Sequence, residues 1–185
     1  MRICIDPGHG GTDPGAVGPT GLKEAMVNLD VALLLRDLLA HAGHKVIPTR
    51  IIDQTISLKD RSFTSNSNDA DLFISIHCNA AVRRDARGIE AWTTVGRTKS
   101  DDWAEKIITN LSHAFPDEPV RRDMADGDSD KESGFYILKH TVCPAVLTEN
   151  LFQDNREDVD NLLSDEGRQK IVTLHVQGIC KYLGV

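Results

Sequence analysis

The sequence has no apolar run long enough to cross a membrane, few aromatic residues and fewer basic than acidic side chains. Aromatic residues make up 5% of its 185 residues, and 21 Lys and Arg stand against 28 Asp and Glu, which gives a net charge of -7. A transmembrane helix needs about 20 consecutive apolar residues, so we expect no membrane insertion. Nucleic-acid binding relies on clustered positive charge, so we expect no nucleic-acid partner either.

Cysteine is also scarce, and no two of the four cysteines have C-x-x-C spacing. Cys4, Cys78 and Cys143 lie in or beside apolar runs, which is typical of buried thiols in a reduced chain. Cys78 follows a candidate metal ligand, and a role as a thiol nucleophile is the alternative interpretation.

The first residues, 1–6, contain too short an apolar run for a secretory signal, so the sequence predicts no signal peptide in this chain.

Apolar runs typical of strands alternate with longer helical patterns along the whole chain. This alternation favours crossover connections and a largely parallel sheet, and the length is near that of one compact domain. We therefore expect an α/β fold in which a twisted, mostly parallel sheet has helices on both faces, with residues 1–185 forming a single domain. The polar, acidic segment 116–132 is expected to be a surface excursion. Strands are predicted at 2–6, 44–49, 72–77, 88–95 and 145–149, and helices at 22–42, at 58–68, from 100 and from 165.

Residues that can bind a metal or transfer a proton follow three of the predicted strands. His9 follows the first strand, His77 ends the third and Glu149 ends the last. Glu24 lies in the first turn of the first helix. The carboxyl ends of parallel strands meet at one edge of the sheet, where ligands bind in such folds, so these side chains are expected to converge. Two histidines and one carboxylate suit Zn²⁺ and leave a fourth position for water, and a second carboxylate can then act as general base.

Each of these residues also has a structural interpretation. A single histidine after a strand is commonly a hydrogen-bonded structural residue, and Glu24 could serve only to stabilise a helix N-terminus. Glu149 lies at the end of a buried strand, where an ionised carboxylate is rare without a partner. Asp6 and Asp13 are both candidates to hydrogen-bond a ligand histidine. From spacing alone, a metal site and a purely structural role both stay open.

Four ordered motifs extend from the first predicted strand to the last helix. They are Ile5-Asp6-Pro7-Gly8-His9-Gly10-Gly11 with Asp13-Pro14-Gly15-Ala16, Glu24 with Asn28-Leu29, Ser75-Ile76-His77-Cys78-Asn79-Ala80 followed by Gly88-Ile89-Glu90, and Pro144-Ala145-Val146-Leu147-Thr148-Glu149 with Phe152, Asn155 and Asp158. This series resembles the motifs of the N-acetylmuramoyl-L-alanine amidases, the zinc-dependent cell-wall amidases that include autolysins and phage endolysins. The chain departs from the family where Asn150-Leu151-Phe152 follows the glutamate, because a glycine is common there.

The resemblance implies that His9, Glu24 and His77 hold Zn²⁺ and that Glu149 is the catalytic general base and acid. The implied reaction is hydrolysis of the amide between the lactyl group of N-acetylmuramic acid and L-alanine of the stem peptide, with a metal-activated water attacking the carbonyl. Peptidoglycan is then the substrate and the bacterial cell wall the place of action, and no obligate protein partner is evident. The implied fold has about six strands between helices.

Two other functions use the same residues. A zinc peptidase would cut a bond within the stem peptide, and a peptidoglycan-binding module would hold the wall without cleaving it. The complete set of candidate site residues argues against the binding module.

Overall fold

Six strands of the chain form one sheet, which is covered by helices in this computed structural model. The structure describes residues 1–82 and 85–184, apart from the side chains of residues 111 and 112. The strands are β1 (Arg2–Pro7), β2 (Lys45–Pro48), β3 (Leu72–Asn79), β4 (Ile89–Thr93), β5 (Lys131–Glu132) and β6 (Ala145–Phe152). The helices are α1 (Glu24–His41), α2 (Leu58–Ser67), α3 (Lys99–Ala114), α4 (Tyr136–His140), α5 (Arg156–Leu163) and α6 (Asp165–Leu183).

The strands follow the order β2-β1-β3-β6-β4-β5 across the sheet. β1 pairs in parallel with β2 and β3, β3 pairs in parallel with β6, and β4 with β5. The junction between β4 and β6 is antiparallel. The prediction of a mostly parallel sheet is therefore confirmed, and the carboxyl ends of β1, β3 and β6 lie side by side at one edge.

Helix α1 illustrates how the sequence pattern sets the position of an element. Val31, Leu35 and Leu39 recur at four-residue spacing and are fully buried, as expected for a helix that packs one face against a sheet. The helix is followed by Gly43, whose φ of 86° is left-handed and favours glycine because it has no Cβ. The buried face anchors α1 on the sheet and so fixes the place of its first residue, Glu24.

Two hydrophobic cores lie on opposite faces of the sheet. Phe73 and Ile74 are neighbours in β3 and belong to different cores, because successive side chains of a strand point to opposite faces. The larger core includes residues of α1, α3 and α6, such as Trp103, and the smaller core includes Leu138 of α4. The expectation of helices on both faces is therefore confirmed.

The acidic segment 116–132 contributes more to the sheet than the sequence predicts. Val120 forms an isolated parallel bridge with Ile89, and the two-residue strand β5 extends the sheet beyond β4. A strand of two residues has no alternation that a sequence pattern could reveal. Helix α5 was also not predicted, because its eight residues are too few for a clear helical period.

The structure shows the environment of the cysteines. Cys4 and Cys78 are buried free thiols, and burial raises the pKa of both. A thiol nucleophile needs the opposite shift, so the structural interpretation of Cys78 is favoured.

Along the described part of the chain, none of the helices combines the length and the apolar character needed to cross a membrane.

A buried ion pair supports the edge of the sheet where β1 ends. Asp6 is 1% exposed, and its Oδ1 accepts a hydrogen bond from Nη1 of Arg61 at 2.7 Å. Arg61 is 3% exposed and also donates to the carbonyls of Pro7 and His9, each at 2.7 Å. The pair therefore fixes the backbone on both sides of the turn that follows β1.

We expect Arg61→Met to lower the free energy of unfolding by about 3–5 kcal/mol, because the carboxylate of Asp6 would stay buried without its cation. Urea denaturation of the wild type, Arg61→Met, Asp6→Asn and the double variant measures this effect. The double variant should lose less stability than the sum of the single variants, since a neutral amide needs no counter-charge. Strictly additive losses would show that the ion pair is not what makes Arg61 important.

Candidate metal centre

The loop after β1 holds His9 in a backbone conformation that few residues other than glycine adopt. His9 has a φ of 59°, in the left-handed region. The N–H of Gly10 donates to the carbonyl of Asp13 at 2.8 Å, and Oδ2 of Asp13 lies 2.8 Å from Nδ1 of His9. Of the two aspartates predicted as candidates, Asp13 therefore contacts the histidine, whereas Asp6 pairs with Arg61.

Glu24, the first residue of α1, directs its carboxylate into the same space. Its side chain is buried, with only 4% of the residue exposed. Oε2 accepts the N–H of Ala16 at 3.0 Å, and Oε1 accepts the N–H of Cys78 at 3.2 Å and the amide of Asn28 at 3.3 Å. Donors from the loop, from β3 and from α1 therefore hold this carboxylate in one orientation.

His9 and His77 meet at one oxygen of Glu24. Nε2 of His9 lies 3.2 Å from Oε1, and Nδ1 of His77 lies 2.9 Å from the same atom. The two imidazole rings are perpendicular, with centroids 4.9 Å apart. One ligand atom from each of the three residues lies within 4.8 Å of the others. No other group of three such residues is this close in the part of the chain that the structure describes.

The charges at this point favour a cation. Burial opposes a charge on Glu24, but the hydrogen bonds from His77 and His9 outweigh it and hold the pKa of the carboxyl below its usual range. Burial likewise opposes a charge on His9, but Glu24 and Asp13 outweigh it and raise the imidazole pKa to about 9. Both ring nitrogens of His9 thus face carboxylates, so either a proton or a metal ion must lie between Nε2 and Glu24.

Two glycines make this close approach possible. A Cβ at Gly8 would lie 2.2 Å from Cε1 of His77, and a Cβ at Gly15 would lie 2.6 Å from Oε2 of Glu24. A Cβ at Gly10 or Gly11 would instead meet the segment 50–55 beneath the loop. Of the glycines near His9, Gly8 and Gly15 are therefore the ones that leave room for the three side chains.

Glu149 lies in β6, directly opposite His77 of β3 in the register of the two strands. Its Oε2 is buried and has no hydrogen-bond partner, so the carboxyl is not part of a structural network at that atom. Burial raises its pKa to about 7; the charge on His77 opposes this rise, and the carboxylates of Glu24 and Glu90 add to it. A carboxyl with a pKa near neutrality can both accept and donate a proton.

Sequence reasoning missed a second arginine that supports the site. Arg50 is 2% exposed, and its guanidinium donates to the carbonyls of Pro7, Gly8 and Ala25 at 3.0, 2.8 and 2.8 Å. It therefore ties the loop of His9 to the first turn of α1. No local pattern in the sequence marks this arginine as buried, because arginine is usually exposed.

The structure brings all four predicted site residues to one edge of the sheet: His9, Glu24, His77 and Glu149. Two imidazoles and a carboxylate that share one point, with a second carboxylate beside them, are a donor set typical of metal-dependent hydrolases.

Comparison with known proteins identifies the family within this class. A family model described as N-acetylmuramoyl-L-alanine amidase matches residues 3–181. The chain therefore belongs to the N-acetylmuramoyl-L-alanine amidase family, and it is a hydrolase that acts as a peptidoglycan amidase. The resemblance that the sequence motifs indicated is confirmed.

Individual relatives support this assignment. The N-acetylmuramoyl-L-alanine amidase CwlM of Bacillus licheniformis is 35% identical over 188 residues, which cover 98% of this chain and 68% of the relative. The crystal structure of an N-acetylmuramoyl-L-alanine amidase from Clostridium difficile 630 is similar with a TM-score of 0.91 and 30% identity, covering 99% of this chain and 96% of that one. The CwlD amidase from Clostridioides difficile, solved in complex with the GerS lipoprotein, has a TM-score of 0.89 and 28% identity, covering 99% and 98%.

The departure from the family pattern after Glu149 has a visible structural consequence. Leu151 has a φ of 67°, so it adopts the left-handed conformation that a glycine would adopt without strain. It lies where the register between β3 and β6 shifts, between the pairs of His77 with Glu149 and Asn79 with Phe152. Its side chain is fully buried, and burial of a leucine, at about 1.5–3 kcal/mol, offsets the strain of this conformation.

We expect Gly8→Ala to weaken metal binding about tenfold or more, because the new Cβ would displace the ring of His77. Isothermal titration calorimetry with Zn²⁺ measures the affinity of each variant for the ion. Gly134→Ala is the matched control, since a Cβ there would meet only Cδ of Lys139 at 3.9 Å. If Gly8→Ala bound the ion as tightly as the control, the position of His77 would not matter for the metal.

Proposed function

We propose that this protein is a zinc-dependent enzyme that hydrolyses the amide between the lactyl group of N-acetylmuramic acid and L-alanine of the stem peptide. The observation that carries the proposal is the meeting of His9 and His77 at one oxygen of the buried Glu24, beside Glu149, whose Oε2 is buried without a hydrogen-bond partner. Residues 1–185 would form one catalytic domain, and it would act on the bacterial cell wall.

Zn²⁺ fits the residues at this point better than magnesium or calcium. Imidazole nitrogens together with one carboxylate suit zinc, whereas magnesium and calcium prefer oxygen ligands throughout. His9, Glu24 and His77 would hold the ion, and Asp13 would orient His9 through the Nδ1 contact. When bound, Zn²⁺ lowers the pKa of a water toward about 7 and polarises the carbonyl of the substrate.

Glu149 would move the proton in both halves of the reaction. Its Oε2, which has no other partner, would accept a proton from the attacking water. The same atom would then donate this proton to the nitrogen of the departing L-alanine. Its pKa of about 7 matches both tasks at neutral pH.

Removal of the proposed base should separate catalysis from metal binding. We expect Glu149→Gln to lower kcat by about a hundredfold to ten-thousandfold, while one Zn²⁺ per chain is retained. His77→Ala should lose both activity and metal. Elemental analysis and the release of peptides from purified wall measure the two properties. Glu166→Gln, an exposed position in α6, is the matched control, and an active Glu149→Gln would show that another group is the base.

Product analysis should distinguish the amidase from the two alternative functions. Mass spectrometry of digested wall is expected to find peptides with a free L-alanine amino terminus and intact glycan strands. A zinc peptidase would instead produce cuts within the peptides, and a binding module would release nothing.

Metal removal tests the cofactor in the same assay. A chelator should stop peptide release by the purified chain, added without any partner protein, and Zn²⁺ should restore it. Full activity in material that contains no stoichiometric metal would refute the proposed cofactor.

A further inference from the structure

A cluster of one buried carboxylate and two cations lies next to Glu149 and takes no part in the proposed proton transfers. Glu90 of β4 is 3% exposed and is paired with Glu149 in the register of β4 and β6. Residues opposite one another in an antiparallel pair point to the same face, with their Cβ atoms about 4.5–5.5 Å apart. Nε of Arg121 donates to Oε1 of Glu90, and Nζ of Lys131 lies 3.0 Å from the same oxygen.

This cluster carries more positive charge than Glu90 requires. Arg121 and Lys131 each form an ion pair with Glu90, and with no other carboxylate among the residues that the structure describes. Within the cluster one negative charge therefore faces two positive charges, and the neighbouring Glu149 forms no ion pair with either cation among the described residues. An unmatched cation beside a reaction centre attracts an anionic group of the substrate.

Arg121 is held so that one edge of its guanidinium stays available. The group lies over the ring of Phe152, with its central carbon 5.2 Å from the ring centroid, and the side chain is 38% exposed. Glu90 engages Nε, and neither terminal amino group forms a hydrogen bond within the described residues. A planar guanidinium edge of this kind matches the two oxygens of a carboxylate.

Lys131 is held in a comparable way on the other side of Glu90. Its Nζ lies 5.2 Å from the centroid of the Trp92 ring, and its side chain is 21% exposed. The ammonium would add positive charge next to the guanidinium without the same directional preference.

The order of the strands places this cluster on the side of the leaving group. Across the sheet, His77 of β3 is followed by Glu149 of β6, Glu90 of β4 and Lys131 of β5. Adjacent strands lie about 4.8 Å apart, and an extended peptide advances about 3.3–3.6 Å per residue. The proposed ligand His77 and the cluster lie on opposite sides of Glu149 in the order of the strands. With the lactyl carbonyl at the proposed metal ligands and the L-alanine nitrogen at Glu149, the peptide would extend away from β3 toward β4, and reach the cluster within about two residues.

We propose that Arg121 and Lys131, positioned by Glu90, form a subsite that binds the carboxylate of an acidic residue following L-alanine in the stem peptide. The subsite rests on the proposed amidase function, which supplies the substrate and its direction. Arg121 binds the carboxylate through its terminal amino groups, and Glu90 is a positioning residue that keeps the guanidinium edge in place.

Two synthetic substrates test this subsite in the full, zinc-loaded chain. Both are N-acetylmuramoyl-L-alanyl dipeptides, and their second residue carries either a free carboxylate or the corresponding carboxamide. We expect the wild type to have a kcat/KM about tenfold or more higher for the carboxylate. In Arg121→Gln this ratio should approach one, mainly through a higher KM for the carboxylate substrate.

The ratio of the kcat/KM values for the two substrates separates a binding role from general damage to the enzyme, because general damage would lower both kcat/KM values equally. Arg122→Gln, an exposed arginine next in the chain, is the matched control and should keep the wild-type ratio. If Arg121→Gln does not fold, Lys131→Gln serves instead and should give a smaller drop in the ratio.

The outcomes distinguish the subsite from the function on which it rests. Equal kcat/KM values in the wild type, or an unchanged ratio in both glutamine variants, would overturn the subsite and leave the amidase function standing. If the wild type cleaved neither substrate at the lactyl amide, the proposed amidase function would fail, and the subsite with it.

Discussion

The buried carboxylate of Glu24 is the constraint on which the rest of the site depends. It is 4% exposed, and an ionised carboxylate in such a place is costly unless cations and donors surround it. Two imidazoles and three N–H donors fulfil this need. These groups come from the loop after β1, from β3 and from α1 itself, so that satisfying one carboxylate brings together segments that are far apart in the chain. The contacts of Glu24 therefore also stabilise the fold at this edge of the sheet. A divalent ion would take the place of the protons that now lie between the imidazoles and this carboxylate.

The same constraint explains the arginines beneath the loop. A backbone that turns tightly enough to present His9 leaves its carbonyls pointing inward, where they need donors. Arg50 and Arg61 supply them, and Asp6 balances one of the two buried charges. With the carbonyls of residues 7–9 held in this way, the left-handed conformation of His9 is determined by its surroundings, which is the usual condition for strain at a functional site.

The fold and the meeting of the candidate residues at one edge of the sheet could be predicted from the sequence because both depend on regular patterns, whereas the proposed roles of these residues came from the resemblance to the family. Alternating strands and helices indicate a parallel sheet, and its carboxyl edge brings His9, His77 and Glu149 together whatever their separation in sequence. The supporting residues follow no such rule. The choice of Asp13 over Asp6 depends on the turn of one loop, and the burial of Arg50 depends on the packing of segments that only the folded chain brings together. Strand β5 and the bridge at Val120 likewise exist only because β4 offers a free edge.

The irregularity in β6 links the proposed base to the proposed carboxylate subsite. A regular strand turns every second side chain to the same face, so Glu149 and Leu151 would share a face and Phe152 would point away from it. The left-handed conformation of Leu151 breaks this alternation, and the register with β3 shifts between Glu149 and Phe152. Phe152 thereby supplies the ring that lies against the guanidinium of Arg121. A glycine at this position would allow the same bend more easily but would leave the bulge free to move. A buried leucine resists that motion through its packing, and so keeps the distance between the carboxyl that would transfer the proton and the cation that would hold the peptide.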